Sequence, residues 1–147
     1  MELLERLNQD LKQAMKDKDK VRLSVIRMVK SATKNREIEL GHPLSDEDVQ
    51  SVIQKELKQR KDSLQAFQDA NRTDLAETAE QEIRILQDYL PQQLDEQALR
   101  EIVTQVIEQV GATSKADMGK VMGQVIPLVR NRADGKAVQQ MVQSLLS

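Results

Sequence analysis

The chain has 147 residues, of which 39 % are hydrophobic and 31 % are charged, and its formal net charge is −2. This balance is typical of folded, helix-rich proteins of one or two domains, and it excludes an intrinsically disordered chain. Cysteine and tryptophan are absent, and there is one phenylalanine and one tyrosine, which excludes thiolate chemistry, disulfides and extensive stacking of bases on aromatic rings.

Four helices are predicted in the first part of the chain, because apolar side chains recur there at intervals of three and four. The first helix covers residues 3–15 and the second covers residues 21–40, with Met15 and Met28 among their inward-facing side chains. Gly41 suits the left-handed position just after a helix, and it is expected to end the second one.

The third and fourth helices have recognisable start signals. Ser45 and Asp48 form a capping-box pattern before the third helix, and Thr73 is placed to cap the fourth, which Pro91 ends. The third helix has a mostly polar middle at residues 54–63 and extends beyond what the shorter first helix can cover. This uncovered length favours a docking site for a protein partner.

Three more helices are predicted beyond the segment YLPQQL at residues 89–94, which has the composition of a linker between domains. Asp95, Ser114 and Asp134 are each placed to act as the N-cap of one of these helices. Gly111 is expected to end the first of them. No segment shows a convincing strand pattern.

The simplest partition of these seven helices is into two bundles. We expect an all-α, multihelical fold, with an N-terminal four-helix bundle over residues 1–91 and a C-terminal three-helix bundle over residues 94–147. The second bundle is short enough for its own core to be marginal, so docking onto the first is expected to stabilise it.

Charge is distributed unevenly along the chain. Residues 11–36 hold nine lysines and arginines against two aspartates, whereas residues 37–54 hold five acids and no lysine or arginine. The basic segment could form a second surface for an anionic ligand, or it could pair within the chain with the acidic segment 37–48, which is the simpler interpretation. The residues concerned are Lys16, Lys18, Lys20, Arg22, Arg27, Lys30 and Lys34.

The segment from Asp117 to Val138 has helical apolar spacing but contains several helix breakers. Gly119 and Gly123 share one helix face, and each glycine costs about 1 kcal/mol relative to alanine in a helix. Either a neighbouring helix packs closely on them, which is the commoner case, or a partner's backbone such as a phosphodiester approaches them. Pro127 predicts a kink or a weakened last turn.

Four cations lie in or beside this predicted helix–turn–helix. Lys120 is on the glycine-containing helix, Arg130 and Arg132 flank Asn131 in the turn, and Lys136 begins the last helix. Ordinary solvated surface charges would give the same pattern. The alternative is a nucleic-acid-binding site formed by Gly119, Lys120, Gly123, Arg130, Arg132 and Lys136.

Several segments together make the chain resemble the GatB/YqeY family over nearly its full length. They are YLPQQL at 89–94, DMGKVMGQV at 117–125, RADGKAV at 132–138 and the long segment at 58–82. The resemblance implies a four-helix bundle followed by a three-helix bundle. This agrees with the partition derived from the helix pattern.

The C-terminal part resembles the tail of GatB, a subunit of the glutamine-dependent amidotransferase that corrects mischarged Glu- or Asp-tRNA. In that enzyme the tail holds the tRNA body, so the resemblance implies a non-catalytic module associated with tRNA or another RNA. It also leaves an alternative, an accessory protein of such an amidotransferase that acts by protein–protein contact. Asn131 stands where these tails usually have glycine, and asparagine also accepts left-handed dihedrals. The resemblance maps onto Gly119, Gly123, Arg130, Arg132, Ala133 and Asp134.

No residue pattern for catalysis is found. The segment at 111–120 is not a Walker loop, because Val121 stands where Ser or Thr is required. His42 is the single histidine, and a bridged metal site would need the Glu39–His42 spacing twice. We expect no metal, no cofactor and no catalysis by the chain itself. A carboxylate pair assembled only by the fold, or glutamine-dependent carbon–nitrogen ligation, stays an alternative.

The expected partners are tRNA or another structured RNA, or a protein of translation. No apolar run approaches the roughly 18 residues of a membrane span, so no membrane partner is expected. The start MELLERLNQD is charged and unlike a signal peptide. We therefore expect a cytoplasmic protein.

Overall fold

The protein is all-α. A computed structural model describes residues 2–146, and within that range it contains seven α-helices, one short 3-10 turn and no strand. The predicted fold class is therefore confirmed. The helices are α1 (Glu2–Asp17), α2 (Lys20–Leu40), α3 (Asp46–Asp69), α4 (Thr73–Gln87), α5 (Glu96–Val110), α6 (Met118–Val129) and α7 (Gly135–Leu145), and the 3-10 turn is Lys115–Asp117.

Two compact units divide the described residues, and the division falls between Leu90 and Pro91. The first unit contains α1–α4 and the second contains α5–α7. Each has its own apolar core, because the helices in each unit present aliphatic side chains at intervals of three and four to one another. Central side chains are Leu7, Ile26, Ile53, Leu57 and Leu86 in the first core, and Val103, Val106, Val121, Val125 and Val142 in the second.

The polar middle of α3 is covered by α4, which packs along it. Arg60 of α3 is buried, and its guanidinium forms ion pairs with Glu56 on the same helix and with Glu82 on α4, the latter at 3.3 Å. The expectation that α3 extends uncovered is therefore wrong. A buried ion network adds to the apolar packing at this level, while most of the other polar side chains of the segment are exposed to solvent.

Most of the predicted helix ends are confirmed. Gly41 follows α2 with a φ of 74°, and Ser45 and Asp48 form the complete capping box before α3. Asp95 caps α5 by accepting a hydrogen bond from the Ala98 N–H at 2.7 Å. Thr73 is not an N-cap, because it is already the first residue of α4.

Two methionines predicted to face the core are exposed instead. Met15 lies at the exposed end of α1, and Met28 on α2 is 47 % exposed. The Met28 sulfur accepts a hydrogen bond from Arg60 Nη2 at 3.0 Å, so it borders the buried ion network rather than the apolar core. Methionine tolerates both environments because its side chain is flexible and polarizable.

Tyr89 joins the end of the first unit to α1. Its hydroxyl donates a hydrogen bond to the Asp10 carboxylate, and the Arg6 guanidinium lies 4.5 Å from the centre of its ring. Arg6 also donates to the Asp88 carbonyl oxygen at 3.1 Å. Burial, and then the hydrogen bond to the anionic Asp10, raise the pKa of Tyr89 above its ordinary value of 10.0.

The raised pKa predicts a pH-dependent stability that can be measured directly, since Tyr89 is the single tyrosine of the chain. The folded protein holds the phenolic proton more tightly than the unfolded protein, so this stabilisation is present below pH 10 and is lost as the pH rises further. We expect tyrosinate absorbance to appear at higher pH in the native protein than in urea. Coincident titration curves would contradict the buried hydrogen bond.

Candidate functional site

The two glycines of α6 lie on an open face of that helix. Gly119 and Gly123 are exposed, and a β-carbon added at either position would have no contacting atom within 4 Å. The buried face of α6 is formed instead by Val121, Val125 and Val129. Close packing of a neighbouring helix of the second unit on the glycines, the commoner interpretation of their spacing, is therefore wrong.

The exposed surface of α6 carries one cation and two large apolar side chains, of which Ile126 lies with the glycines and Leu128, nine residues after Gly119, lies on another side of the helix. Lys120 is exposed beside Gly119, while Ile126 is 43 % exposed and Leu128 is 53 % exposed. Ile126 lies seven residues after Gly119 and so shares the face of the glycines. The surface that surrounds the glycines is thus partly basic and partly apolar.

The turn after α6 is built by Asn131. This residue is buried and has a φ of 62°, so it adopts the left-handed conformation that was predicted for it. The Gln93 side-chain amide donates to the Asn131 carbonyl oxygen at 2.9 Å and to the Pro91 carbonyl oxygen at 3.0 Å. The backbone of the turn is therefore held by the segment before α5.

Arg132 belongs to this same structural arrangement. Its Nε donates to the Gln92 carbonyl oxygen at 3.2 Å, and its own carbonyl oxygen accepts from the Leu94 N–H at 2.8 Å. It is half-buried, so its guanidinium already helps to fix the turn. The segment YLPQQL therefore does more than connect two helices, because Gln92, Gln93 and Leu94 form hydrogen bonds with the α6–α7 turn.

The structure thus groups the predicted site residues unevenly. Gly119, Lys120 and Gly123 share one exposed region of α6, and Arg130 is exposed at the end of the same helix. Lys136 is exposed in the first turn of α7. Their assignment to nucleic-acid binding stays a prediction.

Asp117 fixes the start of α6 next to Lys120. Its carboxylate accepts a hydrogen bond from the Thr113 N–H at 3.0 Å, which, with a weaker contribution from Ser114, lowers its pKa. The charge of Lys120 acts in the same direction. The Ser114 hydroxyl accepts from the Ala116 N–H at 3.3 Å, so this serine caps the 3-10 turn that leads into α6.

Other parts of the described chain offer fewer candidate functional groups. His42 lies on an exposed turn with Nδ1 2.8 Å from the Pro43 carbonyl oxygen, as expected of a turn residue. Across residues 2–146 there is no group of three or more metal-binding side chains, and no helix there is long and apolar enough to cross a membrane. A groove of about 500 Å³ between α2 and α3 is lined by Arg36, Glu39, Lys55 and Glu56, whose charges balance.

These features define an all-helical protein of two compact units whose most distinctive surface is a glycine-containing helix face. Residues 4–146 match the model of the family described as Yqey-like protein. Because this match covers nearly the whole chain, the protein belongs to that family.

Related fungal proteins share the name Altered inheritance of mitochondria protein 41, mitochondrial. The relative from Pyrenophora tritici-repentis is 31 % identical over 147 residues, covering 98 % of this chain and 81 % of its own length. That from Clavispora lusitaniae is 34 % identical over 127 residues, covering 84 % and 74 %. That from Lachancea thermotolerans is 42 % identical over 87 residues, but the match covers 58 % of this chain and 46 % of that relative.

The names of these relatives bear on the expected location. All three are named mitochondrial proteins, and this finding contradicts the cytoplasmic location inferred from the sequence. That inference rested on the charged start and the absence of cysteine, and neither feature distinguishes one reducing compartment from another.

Proposed function

We propose that this protein is a non-catalytic helical module that binds structured RNA, with tRNA as the favoured ligand, through the exposed face of α6 and the turn leading to α7. One observation carries the proposal: Gly119 and Gly123 expose helix backbone that no part of the described chain covers. Glycine is unfavourable at exposed helix positions, so its use there calls for a partner that comes close to the backbone.

The chemistry around the glycines suits a phosphate backbone. Lys120 and Lys136 are exposed ammonium groups on the two helices that flank the turn, and Arg130 lies between them in the chain. Structured RNA is recognised mainly by its shape and by contacts to phosphates and 2′-hydroxyl groups, which does not need aromatic side chains. The near absence of aromatic residues therefore favours structured RNA over single strands.

The start of α7 adds a second feature that suits an anion. Gly135 and Lys136 lie in its first turn. Backbone N–H groups in a first helical turn can donate to a phosphate. The resemblance of this segment to the tail of GatB supports tRNA as the ligand.

A charge-reversal experiment tests the proposal. We expect the native protein to retain total tRNA on a filter at low salt, and Lys120→Glu/Lys136→Glu to lose most of that retention. Loss of two phosphate contacts should reduce the slope of log affinity against log salt by about 2. Arg132 is a poor choice for this test, because its Nε bond to Gln92 holds the turn.

The matched control is Lys61→Glu/Arg84→Glu, which makes the same change in net charge at exposed positions of α3 and α4. This variant should retain tRNA nearly as well as the native protein. Equal losses in both variants would show a non-specific charge effect and would contradict a site on α6 and α7.

A second candidate function is an accessory role in a glutamine-dependent amidotransferase through protein–protein contact. The observation that favours it is the exposure of two large apolar side chains on α6, Ile126 beside the glycines and Leu128 on another side of the helix, since exposed apolar side chains occur at protein interfaces. Ile126→Ser/Leu128→Ser should abolish association with a purified amidotransferase while leaving tRNA retention unchanged. Association that survives this substitution would exclude these two apolar side chains as the contact.

A further inference from the structure

The outer face of α2 carries a straight row of polar and basic side chains. Starting from Lys20, exposed residues follow at alternating intervals of four and three, and this spacing keeps them on one line along the helix. The row alternates cations with serines before it ends in an apolar residue. Its members are Lys20, Ser24, Arg27, Ser31, Lys34 and Ile38.

The acidic segment does not neutralise this row. Among the described residues, Lys20, Arg27 and Lys34 have neither an ion pair nor a side-chain hydrogen bond. The neighbouring Arg22 pairs with Asp19 at 3.6 Å, which precedes α2 and lies outside the acidic segment 37–48. The interpretation that the basic residues pair with that segment is therefore wrong for these three.

The charges of α2 also run against the helix dipole. Lys20 and Arg22 lie in the first turn, which contains no acid, and the last turn contains Glu37 and Glu39 but no basic residue. Cations at a helix N-terminus and anions at its C-terminus are each unfavourable, because they interact with the helix dipole with the wrong sign. These charges do not stabilise α2, so the row of cations is better explained by the binding of a ligand.

We infer that the row from Lys20 to Lys34 is a second polyanion-binding surface, located on the first unit, and that its ligand is the sugar-phosphate backbone of double-helical RNA. Lysine, arginine and serine all donate hydrogen bonds to phosphate oxygens. The row is about 21 Å long at the helical rise of 1.5 Å per residue. The row is therefore long enough to contact several phosphates of a nucleic-acid backbone.

An anionic membrane surface is the less suitable partner. A helix that lies on a membrane inserts a broad apolar face between the headgroups. The apolar face of α2 is instead buried in the core through Val25, Ile26 and Val29, and the outer row contributes Ile38 alone. This surface lies in the first unit, whereas the site proposed for α6 and α7 lies in the second.

The test uses the full chain, a mixed-sequence RNA duplex and Lys20→Gln/Arg27→Gln/Lys34→Gln. We expect about tenfold weaker binding and a salt slope that is smaller by about 2 to 3. The control Lys12→Gln/Lys61→Gln/Arg84→Gln changes net charge equally at exposed positions of other helices and should bind like the native protein. Unchanged binding by the α2 variant, or equal losses in both variants, would overturn the inference.

Two further experiments distinguish this surface from a membrane-binding surface and from the site on α6 and α7. Vesicles rich in phosphatidylserine should not bind the native protein. If the native protein binds them, the α2 variant does not, and both proteins bind RNA equally, the row is a membrane-binding surface and the inference is overturned. The second experiment adds the three α2 substitutions to the Lys120→Glu/Lys136→Glu variant. The combined variant should bind the RNA duplex more weakly than Lys120→Glu/Lys136→Glu does. If it does not, the two surfaces are not independent and the inference fails, whereas the site on α6 and α7 stands.

Discussion

Replacing Arg60 by methionine is expected to lower the free energy of unfolding by about 3 kcal/mol. The Arg60 side chain is 9 % exposed, and its partners Glu56 and Glu82 are 15 % and 25 % exposed. Removing the guanidinium leaves two carboxylates close together, poorly solvated and without their counter-charge. Urea unfolding followed by the helical circular dichroism signal measures the loss.

Two companion variants show whether the network is responsible. Arg84→Met removes an exposed arginine from α4 and should change stability by less than about 0.5 kcal/mol. Arg60→Met/Glu56→Gln/Glu82→Gln also replaces the two carboxylates that would lack a counter-charge, and it should regain most of the lost stability. A single Arg60→Met variant as stable as Arg84→Met would contradict the buried network.

The double substitution Gly119→Ala/Gly123→Ala is expected to increase the free energy of unfolding by about 1–2 kcal/mol. Alanine has the higher helix propensity, and an added β-carbon meets no atom within 4 Å at either position. Neither glycine has a positive φ, so alanine introduces no backbone strain. Thermal or urea unfolding of the second unit's helices measures the gain.

The opposite sign would be decisive. If the alanine variant is less stable than the native protein, a helix of this chain packs on the glycines in solution and the exposed face does not exist. Gly111→Ala is the matched control, since Gly111 also has free space but a φ of 67°, and alanine there should destabilise.

The helices could be predicted from the sequence because their signals are local. Spacing of three and four identified all seven, and side chains within a few residues, such as Ser45, Asp48 and Asp95, defined where α3 and α5 begin. The end of α4 was less accurate: the helix stops at Gln87, several residues before Pro91. Proline disfavours a continuing helix, because it lacks a backbone N–H, but it does not require the helix to reach it.

Contacts between distant residues could not be predicted in the same way. Tyr89 binds Asp10 from 79 positions away, and Gln93 binds the Asn131 carbonyl from 38 positions away. No periodicity pairs such residues, because the packing of whole helices brings them together. The buried Arg60 was missed for the same reason, since its surrounding segment is polar in composition.

The candidate site was partly predictable. The spacing of Gly119 and Gly123 fixed them on one face, but spacing cannot say whether a neighbouring helix covers that face. The exposure of Ile126 could have been found, because its seven-residue distance from Gly119 places it with the glycines. The structural role of Arg132 depends on a contact with Gln92, 40 positions away.

The central claim is that RNA backbone approaches the exposed glycines of α6. Its most direct test compares the tRNA affinity of the native protein with that of Gly119→Leu/Gly123→Leu, in which side chains occupy the open face without changing any charge. We predict that the native protein binds at low salt and that the leucine variant, with its helical content intact, binds much more weakly. Equal affinity of the two proteins, or no binding by the native protein, would contradict the claim.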